Sequence, residues 1–326
     1  MINKNISVVI PAYNCAHIIK KVIKALLNQT VPFKEIIIVD DGSTDNTADV
    51  IKSFPEVIYV HQSNAGPAKA RNTGFHKSVG DYVFFTDSDC VAYEDWIEKA
   101  MVHFDDLNVS VVAGSYGIAN DDSVLARCIH AEIRYRHEKL MPCNPKAFGS
   151  YNFGVRREIF EKVGGFNEEY RHASGEDNDL SYKIGALRGK IYFEKDALVG
   201  HFHTTKVWKY LKEQYRHGFW RVKMYKTHPN MMKGDDYTFW KDIIEPPIGL
   251  IIIGLFLLSV FGLGSENVGK YALMSLILME IVFGWLFIRR FFEGVYYGFV
   301  MLLRSFGRLF GFLIGITLVV LFKKFK

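Results

Sequence analysis

Apolar residues first gather in four short unbroken runs: Ser7 to Ile10, Glu35 to Val39, Val57 to His61 and Tyr82 to Thr86. Runs that are continuous rather than alternating predict parallel strands buried on both faces. Between them the spacing becomes helical. Ile18, Ile19, Val22, Ile23, Leu26 and Leu27 recur along one face, and Thr47 to Phe54 and Ala68 to Val79 read as two further helices. Strand and helix alternating at this rhythm predict an α/β fold with a doubly wound sheet. In such sheets ligands bind beyond the carboxyl ends of the strands, so the residues just after each run are where chemistry is expected.

The pattern changes near Asp242. Ile248 to Phe322 is nearly all Ile, Leu, Phe, Val and Gly, and Ile248 to Gly264 and Tyr271 to Ile288 are each about long enough to cross a bilayer. Glu280 interrupts the second of these. Phe291 to Phe322 carries Arg304 and Arg308, and reads either as an interfacial helix followed by a short insertion or as a third span within 295–322. Ahead of the spans, Thr205 to Lys226 interleaves Lys206, Lys209, Lys212, Arg216, Arg221, Lys223 and Lys226 with Trp208, Tyr210, Tyr215, Phe219, Trp220 and Tyr225. That mixture fits an interfacial helix on anionic headgroups, or a solvated basic linker, better than a nucleic-acid site. The expected organisation is a globular domain over 1–204, a basic aromatic segment over 205–242 and a transmembrane region over 243–326.

Composition narrows the class. The 326 residues are 49% hydrophobic and 23% charged with a formal charge of +5, which excludes a disordered tail, a small disulfide scaffold and a collagen-like repeat. Cys15, Cys90, Cys128 and Cys143 form no CxxC pair and have no histidine at zinc-ligand spacing, so a reducing compartment is expected. The first apolar stretch stops at Pro11, too short for a secretory signal. Positive residues flank the pair of spans at both outer ends, including Arg289 and Arg290, whereas the connection from Ser265 to Lys270 holds one Lys. The charge rule therefore puts the globular part on the cytoplasmic face of a multi-pass membrane protein.

The strand ends read Pro11-Ala-Tyr13-Asn14, Asp40-Asp41-Gly42-Ser43, Gln62-Ser-Asn64-Ala-Gly66 and Asp87-Ser88-Asp89. There is no GxGxxG after the first strand, no GxxxxGK[ST] and no GxSxG, which argues against a dinucleotide oxidoreductase, a P-loop NTPase and an α/β-hydrolase. Asp87 and Asp89 lie two apart on one side of a strand, as hard oxygen ligands for Mg²⁺ or Mn²⁺ would. Aspartates also commonly end strands, so the spacing alone is not decisive. Asp40 and Asp41 end a second strand, and Arg71 opens the helix leading to Asp87. Two acidic strand ends and a guanidinium together describe a metal-diphosphate site. Thr44 or Asp45 is expected to cap the next helix, which leaves Asp40 unexplained.

These segments resemble the family-2 glycosyltransferases, with their GT-A nucleotide-sugar fold. The likeness runs through Ser7-Val-Val-Ile-Pro-Ala-Tyr-Asn14, Glu35-Ile-Ile-Ile-Val-Asp-Asp-Gly-Ser-Thr-Asp45, Asn64-Ala-Gly-Pro-Ala-Lys-Ala-Arg-Asn-Thr-Gly74 and Asp81-Tyr-Val-Phe-Phe-Thr-Asp-Ser-Asp89. It continues through Asn152-Phe-Gly154, Val163-Gly-Gly-Phe166, Glu176-Asp-Asn-Asp-Leu180 and Gly200-His-Phe-His203. The resemblance implies a nucleotide-sugar site from Pro11, Tyr13, Asp41, Arg71, Asp87 and Ser88, with Tyr13 against the base and Asp41 accepting from the base edge. It implies a divalent metal, Mn²⁺ or Mg²⁺, on Asp89 with Asp87 nearby, and His201 matches a histidine that completes the metal shell in some relatives. It places Asn152 and Glu176 in the sugar pocket and makes Asp177 the base that deprotonates the acceptor in an inverting displacement. Acids at a helix N-terminus are also favoured by the macrodipole, but Glu176, Asp177 and Asp179 crowd one turn.

Processive synthases of the family carry QxxRW, whereas Gln214-Tyr-Arg-His-Gly-Phe-Trp220 misplaces the Arg and Trp, so single addition is expected. Anchoring at a bilayer suggests a membrane lipid or lipid-linked glycan as acceptor, with no nucleic-acid partner. The alternatives are a polyprenyl-phosphate sugar synthase and a non-catalytic nucleotide-sugar-binding membrane protein, and the latter should lack one of Asp41, Asp89 and Asp177.

Overall fold

The structure, a computed structural model, describes residues 5–171, 175–229, 236 and 239–321. From the N-terminus come β1 (Ile6–Ala12), α1 (Ile19–Leu27), β2 (Glu35–Asp40), α2 (Thr47–Lys52), β3 (Val57–His61), α3 (Pro67–Lys77), β4 (Tyr82–Thr86), β5 (Cys90–Ala92), α4 (Trp96–Met101) and β6 (Val109–Ile118). There follow α5 (Val124–Lys139), β7 (Asn152–Arg156), α6 (Arg157–Lys162), α7 (Glu176–Ala186), β8 (Lys190–His201), α8 (Val207–Thr227), α9 (Trp240–Val260), α10 (Glu266–Ile288) and α11 (Phe291–Gly315). They group into two compact units, Met1–Ala119 with Met141–Phe202, and Asn120–Leu140 with His203–Lys326.

The first unit is built on an eight-stranded sheet in the order β3-β2-β1-β4-β7-β6-β8-β5. β1 lies parallel to both β2 and β4, and β2 parallel to β3. Each apolar run is continuous because its two faces feed different layers. Val8 and Ile10 of β1 pack with Ile19, Val22 and Trp96, while Val9 packs with Ile37, Ala70 and Phe85 on the other side. Full burial of such side chains contributes roughly 1.5–3 kcal/mol each. β3 departs from the expectation, because it is the sheet edge and alternates between exposed and half-buried positions.

The parallel pairing of β1 to β4 gives way at β7, which runs antiparallel to both β4 and β6. β5 is likewise antiparallel to β8, and a register shift bends the long β6–β8 pair at Gly114 and Ser115. The sheet is therefore mixed, with a parallel half from β3 to β4 and a second half in which β7 and β5 run against their neighbours.

The second unit is helical. α9, α10 and the stretch from Phe291 to Leu318 are long and apolar enough to cross a membrane by length and composition. α9 begins ahead of the apolar run expected at 248–264, takes in Pro246 and Pro247, and ends at Val260, so the rest of that run forms the turn into α10. Helix contact relies on missing side chains: a Cβ on Gly311 would overlap the Tyr215 carbonyl of α8, and one on Gly284 would overlap the Gly294 carbonyl of α11.

The charges that interrupt the apolar runs are paired inside this unit. Lys241 lies between Glu245 and Glu280, 2.5 Å from the latter. Arg304 meets Glu132 at 2.7 Å, Arg136 meets Glu132 at 2.5 Å and Asp242 at 2.6 Å, and Arg308 reaches Asp242 at 2.6 Å. Buried charges persist only when paired and hydrogen-bonded, and these are.

Candidate active site

The site occupies the carboxyl ends of β1, β2 and β4, and the first two strands stop in step. Ala12 is paired with Asp40, and the Asp41 amide donates to the Ala12 carbonyl at 2.8 Å. Ala12 ends the ladder one residue after Pro11, and Tyr13 emerges beyond it with 51% of its surface exposed, an open aromatic face. Asn14, at φ +48°, holds the two loops together by accepting from the Thr44 amide at 2.8 Å while its own amide donates to Ser43 Oγ at 3.0 Å.

Asp40 and Asp41 have different duties. Asp40 is buried and accepts from the Ser43 amide and the Tyr59 hydroxyl, each at 2.9 Å. Burial alone would raise its carboxyl, but the Ser43 and Tyr59 donors outweigh it and hold it below the usual range. It therefore fixes the turn, and the expectation that Asp40 joins a metal-diphosphate site is corrected. Asp45, not an N-cap residue proper, accepts from the Thr47 amide at 3.0 Å and so does the work expected of a cap.

Asp41 accepts from the Ala65 amide at 2.9 Å, the Gly66 amide at 2.8 Å and Gln62 Nε2 at 2.6 Å. A carboxylate offers about four lone-pair positions, so roughly one remains for a ligand. Gly66 can present its amide this way because it adopts φ +98°, where a Cβ would strike the Arg171 carbonyl.

Arg71 projects from α3 and is buried. Its guanidinium donates to Asp87 Oδ1 at 2.6 Å and Glu176 Oε1 at 3.2 Å, with the Phe166 ring 5.3 Å away. The two aspartates of the Asp87-Ser88-Asp89 turn are thus split. Asp87 faces Arg71, Ser88 is part-exposed and bonded to the Cys15 thiol, and Asp89 faces His201 with Oδ2 3.5 Å from Nε2. Crowding of the strand end would raise Asp89, yet His201 and the Cys90 thiol keep it below the usual carboxylate range.

Metal-ligand atoms of Asp89, His201 and Cys90 lie within 4.8 Å of one another. This donor set fits one divalent ion with coordination positions left open, and Asp87 is not part of it. Cys90 was missed by sequence reasoning. The signal available was its position directly after Asp89, made meaningful only by the register that pairs Cys90 with His201.

Glu176 and Asp177 open α7. Glu176 is buried against Arg71, whereas Asp177 is part-exposed, with its Oδ1 accepting from the adjacent Asn178 amide at 2.8 Å. Burial, and then the neighbouring Glu176 charge, push the Asp177 carboxyl up to about 7. A carboxylate poised there can take a proton near neutral pH. Ser181 braces this turn by donating to the Asp177 carbonyl at 2.7 Å and accepting from the Phe148 amide at 3.1 Å.

Asn152 does not join an open sugar pocket. Its side chain is buried, accepts from Trp96 Nε1 at 2.7 Å and donates to the Ser115 and Ala197 carbonyls at 2.9 Å each. The amide stitches β7 to β6 and β8, because three strands converge there with groups that have no ladder partner.

The profile of glycosyl transferase family 2 matches residues 7–164. An uncharacterised glycosyltransferase of Rickettsia prowazekii is 30% identical over 253 residues, covering 73% of this chain and 78% of that protein. The chain belongs to glycosyl transferase family 2. This family-2 glycosyltransferase is also 26% identical to glycosyltransferase AglE of Haloferax volcanii, over 68% of the chain and 74% of that protein. Its match to glycosyltransferase GlyA of Streptococcus pneumoniae, 33% identical over 37% of the chain, spans 18% of that protein's length. Among solved structures, a mannosyltransferase of Pyrobaculum calidifontis in complex with GDP-mannose and Mn²⁺ superposes with a TM-score of 0.63 at 18% identity, covering 98% of this chain and 88% of that one. The two share the GT-A fold.

Proposed function

We propose that this family-2 glycosyltransferase is an inverting, metal-dependent enzyme that moves one sugar from a nucleoside-diphosphate sugar to a membrane lipid or lipid-linked glycan at the cytoplasmic face. The observation that carries the reading is the pairing of a proton acceptor with a donor site. Asp177, raised to about 7, sits beside Glu176, which Arg71 ties to Asp87, two residues from the Asp89 and His201 pair.

Tyr13 offers its exposed face to the nucleobase, Asp41 keeps about one lone pair for the base edge, and Pro11 and Ser88 border the nucleotide. Asp89 and His201 would hold a divalent ion, Mn²⁺ or Mg²⁺, which supplies charge neutralisation to the departing diphosphate. Asp177 takes the proton from the acceptor hydroxyl as its oxygen bonds to the anomeric carbon. The bond from that carbon to the diphosphate oxygen breaks on the opposite face, so the anomeric configuration inverts. A catalyst on the same chain as apolar helices meets lipid acceptors at high effective concentration, which supports the acceptor class. The Mn²⁺ in the Pyrobaculum mannosyltransferase supports the metal.

The test is binding of a panel of nucleoside diphosphates to the detergent-solubilised protein, with and without Mn²⁺, beside Asp89→Ala. Metal-dependent binding of one nucleotide, lost in the variant, is expected. No binding under any condition would sink the transferase reading and favour a non-catalytic role.

A further inference from the structure

Resting on the reading of a divalent ion at Asp89 and His201, we propose that Cys90 supplies a third, thiolate ligand, making this a mixed oxygen, nitrogen and sulfur site that takes thiophilic ions such as Zn²⁺ or Cd²⁺ in preference to Mg²⁺. The geometry carries it. Cys90 Sγ is 3.6 Å from Asp89 Oδ1, and Asp89 Oδ2 is 3.5 Å from His201 Nε2. All three kinds of ligand atom lie within 4.8 Å of one another. Donors on one four-coordinate ion with bonds of about 2.0–2.3 Å stand roughly 3–4 Å apart, so small side-chain adjustments close the triangle.

The backbone holds this arrangement. Cys90 is paired with His201 in the β5–β8 register, the Cys90 amide donates to the Asp87 carbonyl at 3.1 Å, and the Phe202 amide donates to the Asp89 carbonyl at 3.0 Å. Asp87, the other carboxylate of the turn, is held by Arg71 at 2.6 Å and is not one of the three grouped donors. Hard cations leave a thiol protonated, so Mg²⁺ engages only the oxygen and nitrogen donors. A soft cation displaces the thiol proton to solvent and gains the sulfur.

The consequence is selectivity. Zn²⁺ or Cd²⁺ binds the protein more tightly than Mg²⁺ and, with three protein ligands, leaves fewer positions for a diphosphate.

The experiment titrates Cd²⁺ into the full-length protein carrying Cys143→Ser, which removes the exposed cysteine. The readout is the ultraviolet thiolate-to-cadmium charge-transfer band, with Mn²⁺ binding followed separately by paramagnetic resonance. One equivalent of Cd²⁺ should develop the band and displace Mn²⁺. Cys90→Ser should lose the band while keeping Mn²⁺ affinity within about twofold, and His201→Ala, which keeps Cys90, should weaken Cd²⁺ about tenfold or more. A band that survives Cys90→Ser, or Mn²⁺ binding with no band on Cd²⁺ addition, overturns the thiolate ligand while leaving the divalent site intact. Failure of both ions to bind overturns the site itself and the thiolate with it.

Discussion

Arg71 and Glu176 stand 105 positions apart in the chain, yet their side chains, each 2% exposed, meet at 3.2 Å. The same guanidinium holds Asp87 at 2.6 Å, so one cation satisfies two carboxylates that lie on different elements. Removing one partner of a buried pair leaves an uncompensated charge and costs about 3–5 kcal/mol. Arg71→Met should therefore lower the unfolding transition by about that amount. Arg71→Lys should recover little, because an ammonium cannot fork between two carboxylates as a guanidinium does. An Arg71→Met protein that unfolds with wild-type midpoint would show that the bridge contributes nothing.

Under the proposed mechanism Asp177 is the base and therefore sets a pH limb. Its carboxyl, pushed up to about 7 by burial and then by Glu176, is protonated and idle as a base below that pH. kcat/KM should fall about tenfold per pH unit on the acid side of about 7. Glu176→Gln takes away a neighbouring negative charge, which makes ionised Asp177 easier to form, so the limb should move to lower pH. Asp177→Asn should lose about 10²–10⁴-fold in kcat while still binding donor. A rate profile with its limb unmoved in Glu176→Gln would assign the titration to another group.

The parallel half of the fold was readable because β1, β2 and β4 are buried on both faces, which writes continuous apolar runs, and because the intervening helices repeat at 3.6. β7 was not, since Asn152-Phe-Gly-Val-Arg carries no mark of direction, and its antiparallel pairing is set by contacts with β4 and β6. The site residues were legible as residue types at strand ends, but their partners were not. Nothing in sequence separates Asp40, turned inward to Tyr59, from Asp41 beside it, or tells that Asp87 serves Arg71 while Asp89 faces His201. Glu280 read as a flaw in an apolar span because its partner, Lys241, lies on a different helix.

Asn152 separates a structural role from a binding one. Its amide satisfies Trp96 Nε1 and two buried carbonyls, and truncation strands all three at about 1–3 kcal/mol for each group left unpaired. Asn152→Ala should lower the unfolding midpoint strongly, by about 2–4 kcal/mol in stability after partial relaxation, with donor KM changed less than about threefold in the folded fraction. A variant of normal stability and greatly raised KM would return Asn152 to the sugar pocket.

Lys241 contacts Glu280 directly and also pairs with Glu245 one turn on, all three within the apolar helices and at most 1% exposed. The Arg304 guanidinium stands 3.9 Å from Glu245, so that carboxylate retains a cation at contact distance when Lys241 is removed, whereas Glu280 keeps only the longer-range attraction of Arg304. Lys241→Met should cost about 3–5 kcal/mol, measured as thermal unfolding in detergent or bilayer, because it abandons a charge where water cannot reach it. Adding Glu280→Met removes that abandoned charge along with its partner, and a packed apolar pair can match a buried ion pair, so the double variant should regain most of the loss. Equal destabilisation of the single and double variants would mean that Lys241 supports Glu245 alone and that Glu280 is stabilised by groups other than the ammonium 2.5 Å away.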